Sequence, residues 1–102
     1  MIQRLGTTLA SRLRPGDFLA RWRVGDEFLV ILPGTSTEQA GLVGERLCQT
    51  VHEASQDWAI PVTVSIGVAS FPKHATAAAL LDEAEAANKE AKQRGKNRVV
   101  LR

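Results

Sequence analysis

The chain has 102 residues, 44% apolar and 24% charged, a length and balance that suit one compact globular domain rather than two. A formal charge of +2 is too small to announce nucleic acid or a membrane surface as partner, although Arg4, Arg12, Arg14, Arg21 and Arg23 make the first quarter locally basic. No stretch approaches the roughly 18 to 20 apolar residues that span a bilayer, and the N-terminus lacks the apolar core of a signal peptide, so a cytoplasmic chain is expected.

In chain order, Ile2, Leu5, Leu9 and Leu13 recur at helical spacing, and "RPG" stops that helix, because Pro15 disfavours helical geometry at Arg14 and Gly16 suits a turn. A first helix is predicted over residues 2–13. "FLARW" and "EFLVIL" read as two strands on either side of the acidic turn "GDE", and "LVIL", apolar throughout, reads as a strand covered on both faces. Pro33 and Gly34 then break the strand, and either Thr35 with Glu38 or Ser36 with Gln39 offers a capping box for a second helix. That helix is expected to bury Ala40, Val43, Leu47 and Val51.

"VTVSIGVAS" places Val62, Val64, Ile66 and Val68 on one face of a predicted strand. An Ala-rich helix is predicted from Thr76 to Arg94, stopped by Gly95, and "RVVLR" is a short terminal strand. The order αββαβαβ argues for an α/β sandwich that contains an antiparallel hairpin. The single Cys48 has no disulfide partner and reads as a small buried hydrophobe. Phe18, Trp22, Phe28, Trp58 and Phe71 form no stacking stripe along a strand, which argues against a nucleic-acid-binding sheet.

"RPGD", "RVGDEF", "LPGTS", "VTVSIGVASFP" and "AEAANKEAKQRGKNRVV" follow one another in an order and at spacings that resemble the GGDEF domain of diguanylate cyclases, which join two GTP molecules into cyclic di-GMP. The resemblance runs from near residue 5 to the C-terminus. It implies a nucleotidyl-cyclase-like, ferredoxin-like palm and a bacterial signalling protein, with residues 1–102 as a single partial GGDEF domain.

The same resemblance gives the acidic turn a chemistry. Attack of a 3′-hydroxyl on an α-phosphate is helped by a divalent metal, and hard Mg²⁺ prefers carboxylate oxygens together with substrate phosphates. It places Asp26 and Glu27 as metal ligands and catalytic groups, and Gly25 where a nucleotide approaches the backbone. Lys92 and Lys96 fall where the family contacts the triphosphate, with lysine at a place where arginine is usual. The RxxD turn five residues before the signature is, in the family, an inhibitory site for cyclic di-GMP. Arg14 and Asp17 occupy it, and Arg46 falls near the family's supporting arginine.

The sequence also departs from the pattern. Val24 stands where the family has its first glycine, or else Arg23 is an insertion; Glu85 and Lys89 replace an aspartate and a tyrosine. The motifs "DxDxFK" and "GHxxGD" do not occur in these residues, so an N-terminally truncated domain without the family's first strand is expected. Catalysis by this chain alone is then not expected, since catalytic groups that act as a unit lose orders of magnitude together. The missing strand is expected mid-sheet, which leaves "EFLVIL" with an unpaired edge and points to a homo-oligomer. Two other readings stay open: a degenerate module that senses cyclic di-GMP, and a regulatory domain whose partner is another protein.

Overall fold

The computed structural model of the chain describes residues 2–22, 27–71, 73 and 75–102. The elements are α1 (Ile2–Ala10), β1 (Phe18–Trp22), β2 (Glu27–Ile31), α2 (Thr37–Ala54), a 3₁₀ turn (Ser55–Asp57), β3 (Ile66–Val68), α3 (Ala77–Gln93) and β4 (Val99–Leu101). The expected αββαβαβ order is therefore present. The chain forms two compact units, Met1–Thr35 and Ser36–Arg102.

In the first unit, α1 buries Leu5 and Leu9, one turn apart on one face. It ends three residues earlier than the predicted helix: Arg12 and Leu13 bond back to Leu9 and Ala10, the tighter i→i+3 pattern of a closing turn. β1 and β2 form an antiparallel hairpin with Phe18 opposite Ile31 and Trp22 opposite Glu27. Strand alternation puts Arg21 and Phe28 on the same face, with the guanidinium 6.0 Å from the ring centroid. Gly6 of α1 sits against that ring, where an added Cβ would lie 3.3 Å from it. The apolar run "LVIL" is less covered than its composition suggests. Leu29 and Val30 are half-buried and Ile31 is 48% exposed, so the two faces of β2 are only partly covered, and among the described residues the strand has a ladder partner on one edge only.

The second unit is a three-layer sandwich. Its parallel pair β3–β4 matches Ile66 with Val99, Gly67 with Val100 and Val68 with Leu101. Gly67 and Val100 face α3, where Val100 is buried with Ala87 and Ala91. A Cβ on Gly67 would fall 2.2 Å from both the Ala84 carbonyl oxygen and the Asn88 nitrogen, so strand and helix touch backbone to backbone. Asn88 Nδ2 reinforces the contact by donating to the Ser65 carbonyl at 2.7 Å. On the opposite face, Gly44 of α2 receives Val99 and Ile66, and Gly41 receives Leu101.

The capping box forms with Ser36 and Gln39, one of the two pairs the sequence offered. Leu47 and Val51 are buried as expected, but Gly41 and Gly44 take the inward places expected of Ala40 and Val43. The predicted strand over "VTVSIGVAS" shrinks to Ile66–Val68. Upstream of it, side chains take over the backbone pairing. The fully buried Ser55 Oγ donates to the Val62 carbonyl at 2.9 Å and accepts from its N–H at 3.0 Å. The buried Cys48 thiol points at the Val64 carbonyl, and burial first, with the Glu45 carboxylate second, pushes its pKa up.

Candidate functional site

Arg14-Pro15-Gly16-Asp17 is a β-turn closed by the Asp17 N–H donating to the Arg14 carbonyl at 3.0 Å. Proline at its second position and glycine at its third, with φ of 94°, are what a type II turn demands. The turn folds the two charged side chains onto each other. Arg14 Nε donates to Asp17 Oδ2 at 3.2 Å and Arg14 Nη2 to Oδ1 at 3.0 Å, a two-point ion pair, and the Arg14 backbone N–H adds a third bond to Oδ2 at 2.8 Å. The Arg14 guanidinium first, and its backbone N–H second, hold the Asp17 carboxyl below its ordinary value, and the same pairing raises Arg14.

Arg14 reaches further, across the base of the hairpin. Its Nη2 also donates to the Pro33 carbonyl at 3.2 Å and to the Thr35 hydroxyl at 3.0 Å, while Thr35 Oγ1 donates to the same Pro33 carbonyl at 3.2 Å. The turn before β1 and the turn after β2, in which Gly34 has φ of 65°, are thus clasped by one guanidinium. The Asp17 side chain is 4% exposed inside this clasp, whereas that of Arg14 is 62% exposed. Thr35 went unnoticed as a partner of Arg14 because the two are 21 residues apart. The only hint was a hydroxyl following the Pro-Gly break.

Of the acidic-turn residues, Glu27 is the first residue of β2, half-buried and opposite Trp22. Gly25 and Asp26, together with Val24, lie outside the described residues, and among those described no group of three or more His, Cys, Asp or Glu could hold a metal. Arg46 is an exposed residue of α2 in the second unit.

Lys92 and Lys96 lie at the end of α3, both exposed. There the Gly95 N–H bonds to the Lys92 carbonyl and the Lys96 N–H to that of Ala91, the paired bonds of a Schellman reversal. The left-handed backbone does not end at the glycine: Gly95, Lys96 and Asn97 have φ of 116°, 64° and 48°. Two successive non-glycine residues in that region are uncommon. They turn the chain directly from the helix into β4.

The αββαβαβ order, with a hairpin whose second strand starts at an acidic residue and a helix-flanked parallel pair, is that of the palm-like α/β fold found in the matching GGDEF domain structure. Within that class the comparisons are specific: the family model for the diguanylate cyclase GGDEF domain matches residues 1–98, and the chain belongs to the GGDEF family. Diguanylate cyclase A of Treponema denticola is 36% identical over 105 residues, covering 99% of this chain and 28% of that protein. Diguanylate cyclase DgcM of Escherichia coli K12 is 35% identical over 96 residues, covering 94% of this chain and 23% of that one. The crystal structure of the GGDEF domain of YfiN (TpbB) from Pseudomonas aeruginosa superposes with a TM-score of 0.85 at 30% identity, over 98% of this chain and 65% of that chain. This chain therefore spans only about a quarter of the two curated relatives.

Proposed function

We propose that this chain serves cyclic di-GMP signalling by binding cyclic di-GMP at the RPGD turn rather than by condensing GTP at the acidic turn. The observation that supports the reading is the clasp itself: Arg14 is held by Asp17, Pro33 and Thr35 yet keeps 62% of its side chain exposed. A positioned guanidinium can stack on a purine and neutralise a phosphodiester with little ordering left to do on binding. Titration calorimetry with cyclic di-GMP, GTP and the Arg14→Ala variant tests it. Micromolar binding of cyclic di-GMP that falls by about tenfold or more in Arg14→Ala is expected. A preference for GTP, or indifference to Arg14, would overturn it.

The second reading is the family's own activity. In it Asp26 and Glu27 hold Mg²⁺, Gly25 admits the nucleotide, Lys92 and Lys96 meet the triphosphate, and Arg46 supports the inhibitory site. Against it stand Val24 in place of a glycine, whose branched side chain resists positive φ, and Lys96 in place of arginine, which cannot fork onto a phosphate. We expect no cyclic di-GMP from this 102-residue chain with GTP and Mg²⁺. Chromatography of a long incubation decides the matter: product that disappears in Glu27→Ala would restore the enzyme. The pairing of β2 on one edge only, among the described residues, also favours association of copies, which light scattering over a concentration series would reveal as a rising mass.

A further inference from the structure

The second unit carries a cleft of about 460 Å³, within the range of small-molecule sites. One wall is a stripe of α2: Glu45, Cys48, Gln49 and His52 stand at i, i+3, i+4 and i+7, so they share one helix face over about 10 Å. The other wall is the stretch that leads from the left-handed reversal into β4, with Asn97, Arg98 and Val99. Cys48, which is buried, and Val99, half-buried against Gly44, supply the apolar lining.

Most polar groups of this cleft have no work within the fold. Among the described residues the side chains of Glu45, His52 and Asn97 make no hydrogen bond or ion pair. Gln49 is engaged elsewhere, through Nε2 to Glu53 Oε1 at 3.0 Å. Arg98 uses only Nε, which donates to the Lys96 carbonyl at 3.1 Å, so its four Nη protons stay open to a ligand. That bond holds the guanidinium against the reversal. Gly95 gives it room there, since an added Cβ would lie 3.1 Å from Nη2.

The signs of the two charges narrow the class of ligand. A simple anion would meet Glu45 and a simple cation would meet Arg98, and a like charge at close quarters costs affinity. A metal ion would find no group of three or more His, Cys, Asp or Glu among the described residues. We propose that this cleft binds a small zwitterion, with its carboxylate on Arg98, its ammonium on Glu45 and an aliphatic stem between them over Cys48 and Val99. A guanidinium takes a carboxylate in two parallel bonds, and the stem covers apolar surface that water otherwise wets. The site shares no residue with the RPGD turn, so it stands whether or not cyclic di-GMP binds there.

Nitrogen-15 NMR titrations of the whole 102-residue chain with γ-aminobutyrate, δ-aminovalerate and ε-aminocaproate test it, with caproate and hexylamine as single-charge controls. At least one of the three ω-amino acids should shift the amides of Cys48, His52 and Val99 with a dissociation constant of about a millimolar. It should bind at least about threefold tighter than either control, since an exposed ion pair contributes modestly. Glu45→Gln should bring the ω-amino acid down to the level of caproate and leave caproate as tight or tighter. Arg98→Gln should bring it down to the level of hexylamine and leave hexylamine as tight or tighter.

Three results would overturn the proposal: no shift at those amides with any of the three, a preference over either control of less than about threefold, or a Glu45→Gln chain that binds the ω-amino acid as the wild type does. Both substituted side chains are exposed, and the amide spectrum of each variant reports its folding. If Arg98→Gln loses the reversal and unfolds, Glu45→Gln and the two single-charge controls decide.

Discussion

The hairpin base and the three-layer sandwich are held together by different means. At the hairpin base the contacts are polar and directional: one guanidinium gathers a carboxylate, a carbonyl and a hydroxyl from two turns, largely at the surface. In the sandwich the contacts are those of volume. Gly67, Gly41 and Gly44 let two helices approach a two-stranded sheet, and Ala87 and Ala91 close around Val100. Directional contacts tolerate a lost partner, since the others remain. A close backbone approach has no spare room, because interiors are packed as densely as crystals.

Glycine substitutions probe that contrast most severely. Gly67→Ala places its methyl 2.2 Å from helix backbone, and we expect a loss of about 3 kcal/mol or more, or an unfolded chain, in urea denaturation. A Gly67→Ala chain that melted near the wild type would show that α3 can slide and that the sandwich is softer than its geometry. Next in size is Ser55→Ala, which strips the Val62 N–H and carbonyl of their buried partner. A cost of about 1 to 3 kcal/mol is expected, with faster deuterium exchange at the Val62 amide.

Gly16→Ala is the counterpart in the hairpin region. Nothing lies within 4 Å of its added methyl, so its cost comes only from the left-handed φ of 94°, about 1 to 2 kcal/mol. A denaturation series of these three variants should therefore rank Gly67, Ser55 and Gly16 in that order. The smallest effect should be that of pH on the clasp. The folded pKa of Asp17 lies below its unfolded value, so its stabilisation is present above the unfolded pKa, near about 4, and is lost as pH falls through the folded one. Thermal melts of wild type and Asp17→Asn should differ slightly at neutral pH, less in high salt, and converge in acid.

This contrast also explains which parts of the fold were legible in the sequence. Local rules set the element ends: the Ser36 and Gln39 box, the Thr76 cap, the Gly95 stop and the reversal at Pro15-Gly16 all appear where residue chemistry requires them. Strand length failed at "VTVSIGVAS", because a strand needs a partner as well as alternation, and Ser55 occupies the pairing groups of Val62. The inward face of α2 was misjudged for a related reason. Hydrophobic periodicity finds side chains, whereas at Gly41 and Gly44 the core is supplied by Leu101 and Val99 from β4.

At the site, the meeting of Arg14 with Asp17 could be anticipated from an i,i+3 turn, but the grip on Thr35 is tertiary and left no local mark.

The left-handed run after α3 sets two demands on one position. Lys96 is a side-chain-bearing residue at a φ of 64°, a conformation glycine adopts freely and lysine resists. Replacing it with glycine relaxes the backbone and removes the cation in the same step. On the reading in which Lys96 meets a triphosphate, heat tolerance and that affinity should move in opposite directions under this one exchange, and selection for thermal hardiness alone would be expected to discard the lysine.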